Sequence, residues 1–79
     1  MNTIPELLNA LDADSLTFRE PIIVRPKTGS ATYIVGIILR GEEAYIETAT
    51  KVIKDEEASA EIFVAVHSRI NQIVKRIKG

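Results

Sequence analysis

Residues 31–40 (Ala-Thr-Tyr-Ile-Val-Gly-Ile-Ile-Leu-Arg) restrict the fold of this chain more than any other stretch. Branched and aromatic side chains fill both alternating sets of positions, so the strand they predict is apolar on both faces. Pro26-Lys27-Thr28-Gly29-Ser30 before it and Gly41-Glu42 after it read as turns. Connections this short join antiparallel neighbours. Residues 16–25 and 44–53 therefore supply the other two strands of a meander, with residues 31–40 in the centre. Pro21 cannot donate a ladder hydrogen bond, so the first strand lies at an edge or carries a bulge near Glu20-Pro21.

Helices flank the meander. Thr3-Ile4-Pro5-Glu6 is a helix start, with Thr3 as cap, Pro5 in the first turn and Glu6 completing a capping box. Ile4, Leu7, Leu8 and Leu11 follow on one helical face, and Asp12-Ala13-Asp14-Ser15 ends the helix. Asp55-Glu56-Glu57 is expected to open a second helix running to about Lys78. Its apolar stripe is Ile62, Phe63, Val66, Ile70, Ile73, Val74 and Ile77. Acidic residues near its start and basic residues near its end suit the helix dipole. The expected fold is a single α+β domain over residues 1–79: helix, three-stranded antiparallel meander, helix, with the helices packed on the sheet.

Composition narrows the function classes. Ten basic residues against eleven acidic give a net charge of −1, so no bulk field draws the chain to nucleic acid or an anionic membrane. No stretch approaches the roughly 20 apolar residues of a membrane helix. The N-terminus lacks the basic start and apolar run of a signal peptide, which makes the cytoplasm the expected compartment. With no cysteine and one histidine in 79 residues, neither a disulfide nor a zinc site is expected, and no cofactor is implied. A domain this small often gains stability by oligomerising instead.

Catalytic constellations are missing from the pattern. His67 has no carboxylate and nucleophile at a spacing that would make it a general base, and it reads as a boundary residue of the second helix. Asp55, Glu56, Glu57 and Glu61 lack the alternating ligands and the glycine of a calcium loop. The four glycines stand apart rather than forming a phosphate loop. The element order resembles that of double-stranded RNA-binding domains. However, Lys54-Asp55-Glu56-Glu57-Ala58-Ser59-Ala60 is acidic where theirs is lysine-rich, and their glycine-rich segment has no counterpart in Thr48-Ala49-Thr50-Lys51. Order alone does not carry function across that mismatch.

The leading expectation is a non-enzymatic interaction module, acting as a homo-oligomer, for example a homodimer, or as a subunit of a larger assembly. A turn over Lys27–Ser30 pairs Ile23 with Ile34, and a turn at Gly41-Glu42 pairs Ile38 with Tyr45 and Ile34 with Ala49. Opposite residues share a face. The face turned away from the core is thus expected to carry Ile23, Ile34, Ile38, Tyr45 and Ala49 as an interface, unless the first helix covers it. The opposite, core-facing set is Leu16, Phe18, Ile22, Val24, Tyr33, Val35, Ile37 and Leu39. The alternative is a nucleic-acid-binding accessory protein using Arg69, Lys75, Arg76 and Lys78 at the basic end of the last helix. A ligand-binding protein or small enzyme with a site between subunits ranks third, because few buried polar groups are expected to converge on a ligand.

Overall fold

The computed structural model describes residues 3–78, the last by its backbone alone. The elements are α1 (Ile4–Ala10), β1 (Ser15–Val24), β2 (Thr32–Arg40), β3 (Glu43–Thr48), β4 (Val52–Lys54), a 3-10 turn (Asp55–Glu57) and α2 (Ala60–Lys78). The strands form one antiparallel sheet in chain order. This is the expected α+β architecture with one strand more. Thr48 makes the difference. Its hydroxyl accepts from the N–H of Thr50 (3.3 Å) and of Lys51 (3.0 Å) and donates to the Lys51 carbonyl (2.8 Å). Those bonds fold the expected third strand into a hairpin of β3 and β4.

Local chemistry sets both helix starts. Thr3 caps α1 and accepts from the Glu6 N–H, while the Glu6 carboxylate accepts from the Thr3 N–H, closing the capping box. The same helix ends with Asp12 in the left-handed region (φ 53°) and the Ala13 N–H reaching back to the Leu8 carbonyl. α2 begins later than its acidic residues suggest. Asp55–Glu57 form a separate 3-10 turn, Ala58 is extended, and the Ser59 hydroxyl accepts from the Ile62 N–H at 3.3 Å. A side-chain oxygen placed to satisfy a free N–H thus decides where the helix starts, and only Glu61 of the four acids lies in its first turn.

Two irregularities meet at the middle of the sheet. Between the pairs Thr17↔Gly36 and Ile22↔Ile34, β1 carries residues 18–21 against Val35 alone. Between Ile34↔Thr48 and Gly36↔Glu47, β2 carries Val35 against nothing in β3. The extra residue in β2 reverses its alternation of faces beyond Val35, whereas β1 keeps its alternation, with Leu16, Phe18, Ile22 and Val24 all on the covered side. Gly36 is the last regular partner of both neighbours. A Cβ there would lie 2.7 Å from the Leu16 carbonyl oxygen and 3.2 Å from a Glu47 carboxylate oxygen, so only glycine lets the strands approach this closely.

The bulges correct the sequence-derived face assignment. Ile22 rather than Ile23 pairs with Ile34, and Thr48 rather than Ala49 lies opposite Ile34. Ile34 therefore points into the core with no exposure, while Tyr33, expected inside, is 46% exposed. Ile34, Ile37, Ala44 and Ile46 from the sheet, Ile4, Leu7 and Leu8 from α1, and Val66 and Ile70 from α2 belong to one buried cluster. Both helices therefore pack on the same face of the sheet. Phe63 is only partly buried at the cluster's margin, and Ile77, expected in the stripe, is 65% exposed.

The core centre is thus Ile70 and Val66, not Phe63. Ile70→Ala should cost about 2–5 kcal/mol, and Phe63→Ala distinctly less. Gly36→Ala, which forces apart two strands that nothing else holds open, should cost about 1–3 kcal/mol. Urea unfolding of the three variants gives the order; equal losses for Phe63 and Ile70 would contradict it.

Candidate functional site

With α1 and α2 sharing one face, the opposite face of the sheet has no cover within the described chain. Its side chains run in cross-strand rows: Ile23 beside Tyr33; Thr17, Gly36, Glu47 and Val52; then Ile38, Tyr45 and Lys54; and last Arg40 beside Glu43. Ile23 is 47% exposed and Val52 51% exposed, comparable with Tyr33. Ile38 and Tyr45 are partly buried by their neighbours in the sheet.

Of the residues expected to form an interface, Ile23, Ile38 and Tyr45 lie on this face. Ile34 does not, for the reason of register above. Ala49 is exposed in the β3–β4 turn, where its N–H donates to the Tyr33 carbonyl at 2.9 Å. Tyr33 and Val52 were missed. Tyr33 is turned outward by the bulge at Val35, and Val52 by the hairpin at Thr48. Pro21 and Glu20 were the only hints of either event, and they mark β1 alone.

One end of the face is polar and internally bonded. The Tyr45 hydroxyl donates to a Glu43 carboxylate oxygen at 3.0 Å, Lys54 reaches the same carboxylate at 3.4 Å, and the Arg40 guanidinium stands 5.4 Å from the Tyr45 ring centre. The hydrogen bond from Tyr45, and then Lys54, hold the Glu43 carboxyl below an ordinary glutamate's 4.5. Reciprocally, ionising Tyr45 would lose that bond and set two anions together, so its hydroxyl is held above the usual 10.0. The Lys54 ammonium is likewise raised from 10.5 by Glu43. These groups are bonded to one another rather than aimed at a reacting atom. His67 lies in the helix layer, its ring stacked 5.8 Å from Phe63, away from this cluster. Among the described residues no three of His, Asp or Glu gather to hold a metal ion, and no helix is long and apolar enough to cross a membrane.

The basic residues of the alternative reading divide. Arg69 is partly buried and donates to the Glu20 carbonyl at 3.2 Å, with its guanidinium 5.8 Å from the centre of the Phe18 ring. Arg76 lines the same cleft and Lys75 does not; the side chain of Lys78 lies outside the described residues. The cleft also takes in Arg19, which sequence spacing could not connect with a helix fifty residues away. Comparison with protein families, with curated proteins and with solved structures finds no match to this chain.

The polar cluster makes a titration prediction. A depressed carboxyl contributes stability above the unfolded value and loses it as pH falls through its lower folded value. The raised Tyr45 and Lys54 contribute below their unfolded values and lose it as pH rises through their folded ones. The cluster should hold from about pH 5 to about pH 10, with a small effect because it is exposed. Glu43→Gln should bring the Tyr45 midpoint down toward 10.0. Ring resonances of Tyr45 followed by NMR against pH give that midpoint; no movement would mean the bond is absent in solution.

Proposed function

We propose that this chain is a non-enzymatic interaction module whose open sheet face mates with a second copy of itself. The observation that carries this reading is the placement of both helices in one core, which leaves Ile23, Tyr33 and Val52 about half exposed across the other face. Apolar side chains left open on one sheet face mark a candidate association site.

Charge supports a copy of the same chain as the partner. The face carries Arg40 and Lys54 against Glu43 and Glu47, two of each sign. A patch that carries both signs allows the self-complementarity that an isologous contact needs. Size sets the strength. Strands of 10, 9, 6 and 3 residues present roughly 450 Å² in projection. That gives about 900 Å² for the pair, below stable specific interfaces and in the range of weak, transient ones, so the dimer should form and dissociate with concentration.

A second reading has one observation in its favour. Arg69 and Arg76, two of the residues through which the chain would act as a nucleic-acid accessory protein, share a cleft with a third arginine. The absence of an exposed aromatic ring among them weighs against base stacking.

Light scattering over a dilution series, with Tyr33→Lys and Val52→Glu combined, tests the first reading. Both residues are solvent-facing, so circular dichroism should stay native while a dimeric parent becomes monomeric. Ile34→Lys, by contrast, places a charge among fully buried residues and should unfold the chain. A wild type that stays monomeric at high concentration, or a double variant that stays dimeric, would overturn the proposal. A larger assembly recovered intact with the double variant would do the same.

A further inference from the structure

The cleft between the β1 bulge and the second half of α2 offers a site of a different kind. It encloses about 420 Å³ and is lined by Phe18, Arg19, Glu20, Arg69, Gln72 and Arg76, among others. We propose that it binds the phosphate group of a small phosphorylated molecule. This proposal goes beyond self-association and does not depend on it.

Three observations carry it. The first is charge. Three arginines line one cleft against a single acidic residue, Glu20, in a chain whose net charge is −1. Among the described residues neither Arg19 nor Arg76 makes an ion pair. Gathering like charges without counterions costs free energy, which a bound anion would offset.

The second observation is where the arginines come from. Residues 69, 72 and 76 recur along one face of α2, and basic residues near a helix C-terminus have a sufficient cause in the dipole. Arg19 does not. It stands on the irregular part of β1, where no helix end needs compensating, and it lines the cleft together with Arg69 and Arg76 of α2. Bulges are over-represented next to functional sites.

The third is preorganisation. Arg69 is held at 3.2 Å by the Glu20 carbonyl and lies over the Phe18 ring at 5.8 Å, so one guanidinium is fixed before any ligand arrives. A planar fork held this way suits the oxygens of a phosphate better than an ammonium would. Gln72 adds an amide, and Ile73 an apolar wall for the rest of the molecule. The volume falls in the range of small-molecule sites.

A polymer fits less well than a small molecule. Among the described residues Lys75 lies outside the cleft and adds no basic track to it, and Phe18, at 6% exposure beneath Arg69, is closed to stacking by a base.

The test uses the full chain and amide NMR, with inorganic pyrophosphate, adenosine 5′-monophosphate and a short RNA duplex as separate probes. Pyrophosphate or the nucleotide should give saturable shifts confined to residues 17–20 and 69–76. If pyrophosphate alone suffices, the source is the free anion; if the nucleotide binds more tightly, the organic body contributes, and either result supports the site. Arg19→Gln and Arg76→Gln should each weaken binding about tenfold, and Lys75→Gln should leave it unchanged. Both arginines are exposed, so each variant should keep the native spectrum, and either one suffices should the other lose it. Absence of saturable shifts up to about millimolar probe, or shifts indifferent to both arginine variants, would overturn the proposal. So would tighter binding of the duplex that falls as much with Lys75→Gln as with Arg19→Gln, because that would assign the residues to a nucleic-acid backbone.

Discussion

The close approach of β1, β2 and β3 around Gly36 is the constraint on which the rest of the molecule depends. A glycine there lets the Leu16 carbonyl come within 2.7 Å of where a side chain would begin, and both irregularities of the sheet start from that point. The insertion at Val35 brings Ile34 and Ile37 onto one face although an odd spacing separates them. The core can then receive two large residues from the central strand and meet α1 and α2 with both. The same insertion turns Tyr33 outward. The irregular stretch of β1 borders the cleft beside α2. Core, open face and cleft are thus three results of one local geometry.

The helices depend on that core more than on themselves. α1 has seven residues, fewer than an isolated helix needs to persist in water. Its capping box and its left-handed end at Asp12 satisfy the terminal amides and carbonyls, but burial of Ile4, Leu7 and Leu8 against the sheet and α2 is what holds it. α2 is rich in isoleucine and valine, indifferent helix formers whose presence is explained by what they touch. Arg69 adds a tie across the layers: one side chain bonds the bulge's backbone at Glu20 and covers Phe18, so the irregular part of β1 is fastened to the helix rather than left loose.

Much of this was legible in the sequence because it follows from local periodicity. The order of elements, the capping box at Thr3, the central strand, the Ile38↔Tyr45 pairing and the irregularity near Pro21 all come from patterns spanning a few residues. The errors share one cause. Alternation along a strand predicts faces only while the ladder is unbroken, and a one-residue insertion at Val35 leaves no compositional mark, since Val-Gly within an apolar run reads as ordinary strand. Ile34 and Tyr33 therefore exchanged places. The start of α2 was misplaced for another reason. Acidic residues suit both a 3-10 turn and a first helical turn, and the choice rested with a single serine hydroxyl. Arg19 could not be joined to Arg69 and Arg76 from spacing at all, because what joins them is the packing of a bulge on a helix.

The sheet treats its edges and its open face differently, and the difference bears on how association would end. An unpaired strand edge invites addition of further strands without limit. Here β1 carries Pro21 and a four-residue bulge, which interrupt the ladder, and β4 is only three residues long with Lys54 at its end. Neither edge offers a long template for another chain. The face, by contrast, keeps Ile23, Tyr33 and Val52 open on the same side as charges of both signs. Contact through a self-complementary face under a twofold axis consumes the same patch on both copies and closes at two, whereas edge pairing would propagate. Blunted edges beside an apolar face are what a domain needs if it is to associate and then stop.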